Sequence, residues 1–114
     1  MKIEQFEDII AWQKAELLAS SIYSVFSCCK DYGFKDQIQR ASISVMNNIS
    51  EGFERKTNND FKHFLFISKG SCGEVRSMLY IAKTLNYINK EQFDKHYSLF
   101  LEISKILSGL IKTL

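Results

Sequence analysis

The stretch Asn47–Val75, NNISEGFERKTNNDFKHFLFISKGSCGEV, decides how this 114-residue chain folds. Up to Phe53 it carries the end of one amphipathic pattern. Thr57-Asn58-Asn59 interrupts that pattern, and from Asp60 a second one begins with apolar residues three and four apart. Thr and Asn side chains accept hydrogen bonds from the free amides of a first helical turn, and an acid just after them suits the positive helix end. The stretch therefore reads as helix, polar turn, helix.

Working outward, helix 2 is expected over about 35–53, with its stripe at Phe34, Ile38, Ala41, Val45, Asn48, Ile49 and Gly52. Helix 3 is expected over about 59–85, striped by Phe61, Phe64, Leu65, Ser68, Cys72, Val75, Leu79 and Ala82. Before them, helix 1 is expected over about 9–29, with Asp8 as its N-cap and a stripe at Ala11, Ala15, Leu18, Ile22, Val25 and Cys29. Gly33 reads as a helix stop after it. After Asn86–Asn89, helix 4 is expected over about 90–114, striped by Phe93, Tyr97, Phe100, Ile103, Leu107, Leu110 and Leu114. Asn89 and Gln92 have capping-box spacing. All four patterns repeat at three and four residues, the period of a helix with one buried face.

Proline is absent, so nothing in the chain removes an amide donor or forces a kink. Four helices on short connections give an all-α, antiparallel up-down-up-down bundle, and 114 residues leave room for a single domain, 1–114. The formal net charge is +2, with 15 basic and 13 acidic residues. Lys2, Glu4, Glu7 and Asp8 make the first residues an acidic lead-in, so the rest of the chain is more basic than the total suggests. Cys28, Cys29 and Cys72 fit neither a metal pattern nor an even disulfide set and read as free thiols. No apolar run approaches the ~20 residues that span a bilayer, and the N-terminus lacks a signal-peptide core. A cytoplasmic protein with no membrane partner is expected.

Two features of Asn47–Val75 set up the reading of function. Asn48 falls on the apolar stripe and is expected to be hydrogen-bonded, because a buried amide without partners is costly. With Glu51, Ser71 and Glu74 it forms a polar junction expected to set how closely helices 2 and 3 pack. Gly70 and Gly73, beside the small residues Ser68, Ser71 and Cys72, are expected where another helix comes unusually close, since two such glycines cost a helix about 2 kcal/mol. The second feature is charge. Arg55, Lys62, Lys69, Arg76 and Lys83 recur every seven residues, and Lys56 extends their start. Seven residues are two turns less ~20°. The four on helix 3 therefore lie within an arc of about 60°. Such a line suits phosphates read without regard to sequence. The plainer alternative is a solvated flank whose lysine stems cover apolar surface.

Helix 3 also carries apolar residues off its core stripe: Phe66, Ile67, Met78, Tyr80 and Ile81. A helix apolar on two faces contacts two things, and in so small a chain the second is expected to be another copy. Trp12, at the edge of the helix 1 stripe, joins that candidate oligomer set. Catalysis finds no support. His63 and His96 have no metal-ligand spacing, and His63 and Cys72 are about 13 Å apart along one helix. Neither the Glu-x-x-His pairs of a di-metal bundle nor a phosphate-cradling loop is present. No catalytic, metal or cofactor residues are assigned.

Phe6-Glu7-Asp8-Ile9 and Trp12-Gln13-Lys14-Ala15 resemble the opening of a bacterial four-helix-bundle family. Arg40-Ala41-Ser42, Asn48-Ile49-Ser50-Glu51-Gly52 and Arg55 resemble its helix 2 signature. Phe61, Phe64-Leu65, Ile67, Gly70-Ser71 and Glu74-Val75 resemble its helix 3 signature, and Asn86-Tyr87-Ile88 its last turn. This is the family of proteins encoded in intervening sequences of 23S ribosomal RNA genes. It is related to the accessory protein of diversity-generating retroelements. Met46 stands where the family often has proline, which implies a straighter helix 2. The resemblance implies a homopentameric ring without an assigned activity. The related accessory protein is a basic pentamer that binds reverse transcriptase and nucleic acid. Two roles follow as expectations: a homo-oligomer, most naturally a pentamer, that binds RNA or DNA through the basic line, or a scaffold that holds a partner protein.

Overall fold

A short 3-10 turn, Phe6–Asp8, leads into four helices: α1 (Ile10–Val25), α2 (Tyr32–Phe53), α3 (Asn58–Thr84) and α4 (Lys90–Lys112). The structure is a computed structural model that describes residues 3–114; Met1 and Lys2 of the acidic lead-in lie outside the described residues. The helices lie antiparallel in a four-helix bundle measuring 43 × 22 × 19 Å. Around the bundle the neighbours are α1–α2, α2–α3, α3–α4 and, with the thinnest seam, α4–α1.

The ends of the helices show which local signals prevailed. Asp8 does not cap α1. Its carboxylate accepts from the Glu4 and Gln5 amides at 3.0 and 3.2 Å, tying down the N-terminal turn, and the N-cap position falls to Ile9. Helix α1 stops at Val25, short of Cys29, where the chain turns around the buried Phe26 ring and Lys35 Nζ donates to the Ser27 carbonyl at 3.0 Å. Gly33 is not a stop either, because Asp31 accepts from the Phe34 amide at 3.2 Å and starts α2 early, with Gly33 in its first turn. A side-chain cap thus outweighed a glycine. Helix α2 then passes Met46 without a break.

Of the three residues suited to cap α3, Thr57 does so, accepting from the Asp60 amide at 3.1 Å. The far end of α3 closes on Asn86, at φ 62°, with Tyr87 N–H donating to the Ala82 carbonyl and Asn86 N–H to the Lys83 carbonyl. This is a Schellman closure with asparagine in the left-handed position usually given to glycine. Asn89 and Gln92 form the expected capping box on α4.

The core holds Ala11, Ala15, Leu18 and Ile22 from α1, Ile38, Ala41, Val45 and Ile49 from α2, Leu65, Cys72, Val75 and Leu79 from α3, and Phe100, Ile103 and Leu107 from α4. His96 is buried as well, at 2% exposure. The Gln92 carbonyl lies 2.8 Å from its Nδ1, which therefore carries the proton; its Nε2 accepts from the Ser21 hydroxyl at 2.7 Å. That bond and the Lys14–Glu102 ion pair, at 2.8 Å, tie the thin α1–α4 seam together.

The close approach of two helices lies at Gly52, and not at Gly70 and Gly73. A Cβ on Gly52 would fall 2.6 Å from the Phe64 Cβ and 3.3 Å from the Phe61 carbonyl oxygen. One on Gly70 would meet nothing within 4 Å, and one on Gly73 only an Arg76 guanidinium nitrogen at 3.7 Å. The α3 glycines lie on the outside of the bundle.

Candidate nucleic-acid interface and self-association face

The polar junction divides in two. Ser71 faces α2, where its hydroxyl lies 2.9 Å from the Ser44 hydroxyl. Asn48 reaches the same serine, donating to the Ser44 carbonyl at 2.8 Å and to its hydroxyl at 2.9 Å. Ser68, fully buried, donates to the Val45 carbonyl at 2.7 Å. The Ser44–Ser71 and Ser68–Val45 links fix α3 against α2 in the most extensive seam of the bundle, while both Asn48 bonds stay within α2 and brace Ser44. The two carboxylates do not join them. Glu51 pairs along its own helix with Arg55 at 3.7 Å, and Glu74 is exposed and has no ion pair among the described residues.

The basic line runs along the edge of α3 that faces α4. Two of its members rest on aromatic rings of α4: the Arg76 guanidinium lies 5.7 Å from the Tyr97 ring centre, and Lys83 Nζ lies 4.7 Å from that of Phe93. Arg55, in the turn before α3, lies 4.8 Å over the Phe64 ring. Of the acids that might have neutralised the line, Glu54, Asp60 and Glu74 form no ion pair with it. Lys56, Lys62, Lys69, Arg76 and Lys83 pair with no carboxylate among the described residues. Neighbouring cations on α3 are spaced ~10 Å along the axis. That matches the Debye length at 0.1 M salt, so their fields add fully only at lower salt.

Sequence reasoning did not foresee the aromatic cluster beside this line. Tyr80 of α3 meets Phe93 and Tyr97 of α4 with ring centres 5.0 and 5.6 Å apart, at steep angles, while Phe93 and Tyr97 stack on each other at 5.5 Å. The signal was present in two halves, the aromatics of the α4 stripe and the heptad cations of α3. Only the register of the antiparallel pair brings the halves together.

The candidate oligomer residues fall in different places. Phe66, Ile67 and Ile81 lie on the outer face of α3 at 55%, 39% and 51% exposure, next to the basic edge, the first two one turn before Gly70 and Ile81 about three turns beyond it. Met78 is half-buried against the core. Tyr80 belongs to the aromatic cluster. Trp12 is half-buried, its ring 5.1 Å from that of Phe6 in the N-terminal turn.

The groups able to do chemistry are scattered. Burial pushes the Cys72 thiol up to about 12, far from a reactive thiolate. His63 is exposed beside Phe64, and both ring nitrogens of His96 are occupied. A shallow hollow of about 710 Å³ over the outer face of α2 is lined by Arg40, Asn47, Asn48, Glu51 and Glu54, with neither histidine nor Glu74 at hand. Among the described residues no three His, Cys, Asp or Glu side chains converge as a metal site would require, and no helix is long and apolar enough to cross a membrane.

The four-helix fold is shared. A solved protein of unknown function from the S23 ribosomal protein family of Bacteroides thetaiotaomicron superposes with a TM-score of 0.85 at 26% sequence identity, over 90% of this chain and 99% of that one. No curated protein matches the sequence. The model of the 23S rRNA-intervening sequence protein family matches residues 7–109, from the N-terminal turn to the last turns of α4. With nearly the whole chain matched and the bundle in common, the chain belongs to the 23S rRNA-intervening sequence protein family.

Proposed function

We propose that this protein is a non-enzymatic assembly module. Copies of it associate through the outer face of α3, and the assembly presents the basic edge of that helix to the phosphates of RNA or DNA. The observation that carries this reading is the juxtaposition on α3. Exposed Phe66 and Ile67 lie one turn before Gly70, where a neighbouring backbone finds open space, Ile81 continues the same face about three turns further on, and Lys62, Lys69, Arg76 and Lys83, which pair with no carboxylate among the described residues, border them. Exposed apolar residues on a face that the fold leaves uncovered suit an interaction surface. A closed ring of copies, the pentamer that the family resemblance implies, repeats the cationic line once per subunit and multiplies its field.

Binding is read by fluorescence anisotropy with a labelled structured RNA, titrated from ~50 to ~200 mM salt. With about four phosphates neutralised per subunit, the log–log slope is expected near −3 to −4. Changing Lys56, Lys62 and Lys69 to Glu removes three cations that stand on no ring, leaves the Arg76 packing intact and is expected to abolish binding. Absence of binding at ~50 mM salt, or an unchanged affinity in the triple variant, contradicts the reading. A protein partner that stays bound through nuclease treatment and high salt favours the scaffold role instead.

A further inference from the structure

We infer that the nucleic acid taken by this edge is single-stranded, held by a base stacked on Tyr80 between phosphates at Arg76 and Lys83. This rests on the nucleic-acid reading above and narrows it. The argument starts from position. Tyr80 is four residues after Arg76 and three before Lys83, so all three share one side of α3. Tyr80 is 53% exposed although its ring touches two others. Neither of those rings lies flat on it, the interplanar angles being 61° and 76°. The result is an aromatic platform fixed from below and open to solvent.

The flanking cations are fixed too. Tyr97 and Phe93 hold the Arg76 and Lys83 head groups in place, which lowers the side-chain entropy lost when they engage a phosphate. The Arg76 Nε is buried and has no hydrogen-bond partner among the described residues, so contact with a phosphate falls to the terminal guanidinium nitrogens. An aromatic ring between two immobilised cations is the combination that binds unpaired strands, where the ring stacks on a base and the cations track the backbone. A duplex keeps its bases inside the stack and offers the same edge only its phosphates. Phosphate binding alone would need no exposed ring here.

The test compares labelled oligo-uridine and oligo-thymidine strands of about 20 nucleotides, longer than the ~4–16 such grooves occupy, with a duplex of equal length. Tyr80→Leu keeps apolar cover over Phe93 and Tyr97. It is expected to weaken binding of either strand on the order of tenfold, to leave duplex binding unchanged, and to leave the salt slope of both unchanged. Tyr80→Phe, which retains the ring, is expected to bind single strands as the parent does. A Tyr80→Trp substitution in a Trp12→Phe background gives a direct signal, since stacking on a base quenches the introduced indole. Equal losses for strand and duplex, no loss in Tyr80→Leu, or no quenching on saturation overturns the inference. Salt-dependent binding with an indifferent Tyr80 overturns the stacking site alone. Failure of the unmodified chain to bind either form removes the broader reading as well.

Discussion

Gly52 and Gly70 are the same residue in neighbouring helices, and they serve opposite ends. At Gly52 the missing side chain is space already used: α3 sets Phe61 and Phe64 against the bare backbone, closer than any Cβ allows. At Gly70 the space is open among the described residues, and Phe66 and Ile67, one turn before it, are apolar and exposed. One glycine closes the bundle, and the other leaves an opening on its outside. A helix that accepts the ~1 kcal/mol cost of glycine at a position its own fold does not require has that position available for something outside the fold.

The largest expected effect follows from the closed side. Gly52→Ala forces α2 and α3 apart, because the atoms in the way are a Cβ and a carbonyl oxygen that cannot swing aside. Overpacking strain of this kind costs up to ~3 kcal/mol, less the ~1 kcal/mol that alanine returns to a helix. A net loss of about 2 kcal/mol in urea unfolding is expected. Stability equal to or above that of the parent would erase the distinction between the two glycines. Next comes Ser68→Ala in the same seam, which removes the buried hydroxyl from the Val45 carbonyl at 2.7 Å and is expected to cost ~1 kcal/mol.

Gly70→Ala should do the reverse. Measured at dilutions where the chain is monomeric, it is expected to gain up to ~1 kcal/mol, because the methyl meets nothing. A loss there would mean that the outer face is packed in a way this fold does not contain.

The smallest effect is one of pH. The Tyr87 hydroxyl donates to Asp31 Oδ2 at 2.6 Å, joining the α1–α2 connection to the turn after α3. That bond holds the Asp31 carboxyl below its ordinary 3.8, with the Phe34 amide helping, and Asp31 in turn raises Tyr87 to about 12. A lowered acid stabilises the fold above its unfolded value and loses that contribution as pH falls through the folded one. A raised phenol stabilises below about 10 and loses that contribution as pH rises towards about 12. The contribution is therefore full between about 4 and 10. Tyr87→Phe is expected to flatten the stability profile at both ends. A profile that still falls equally at both ends would show that other groups set it.

Much of the fold was legible in the sequence, because it rests on local periodicity and on caps. The apolar stripes placed all four helices, the Asn89–Gln92 pair marked one start correctly, and Thr57-Asn58-Asn59 marked another without saying which of the three caps it. What was not legible depended on partners distant in the chain. Gly33 looked like a stop until the Asp31 cap was counted. His96 stands three residues after Phe93 and four before Phe100, a spacing that places it in the core, but its polarity hid this until Ser21 supplied a partner. The seven-residue spacing of the cations was plain. That α4 lays aromatic rings under two of them is a matter of helix register, which no single stripe encodes. Glu51 and Glu74 share a stretch of sequence with Asn48 and Ser71 but are exposed, so the bond across the seam is left to the Ser71 and Ser44 hydroxyls, with the Asn48 amide bracing Ser44 from its own helix.

The central claim, that the outer face of α3 is a surface for a second copy, is tested most directly by the mass in solution. Light scattering on the intact chain at micromolar concentration is expected to give a multiple of 13.2 kDa. The double variant Phe66→Glu, Ile81→Glu is expected to fall to 13.2 kDa with its helical circular dichroism unchanged. A 13.2 kDa particle for the unmodified chain, or an assembly that survives both charges, would contradict the account.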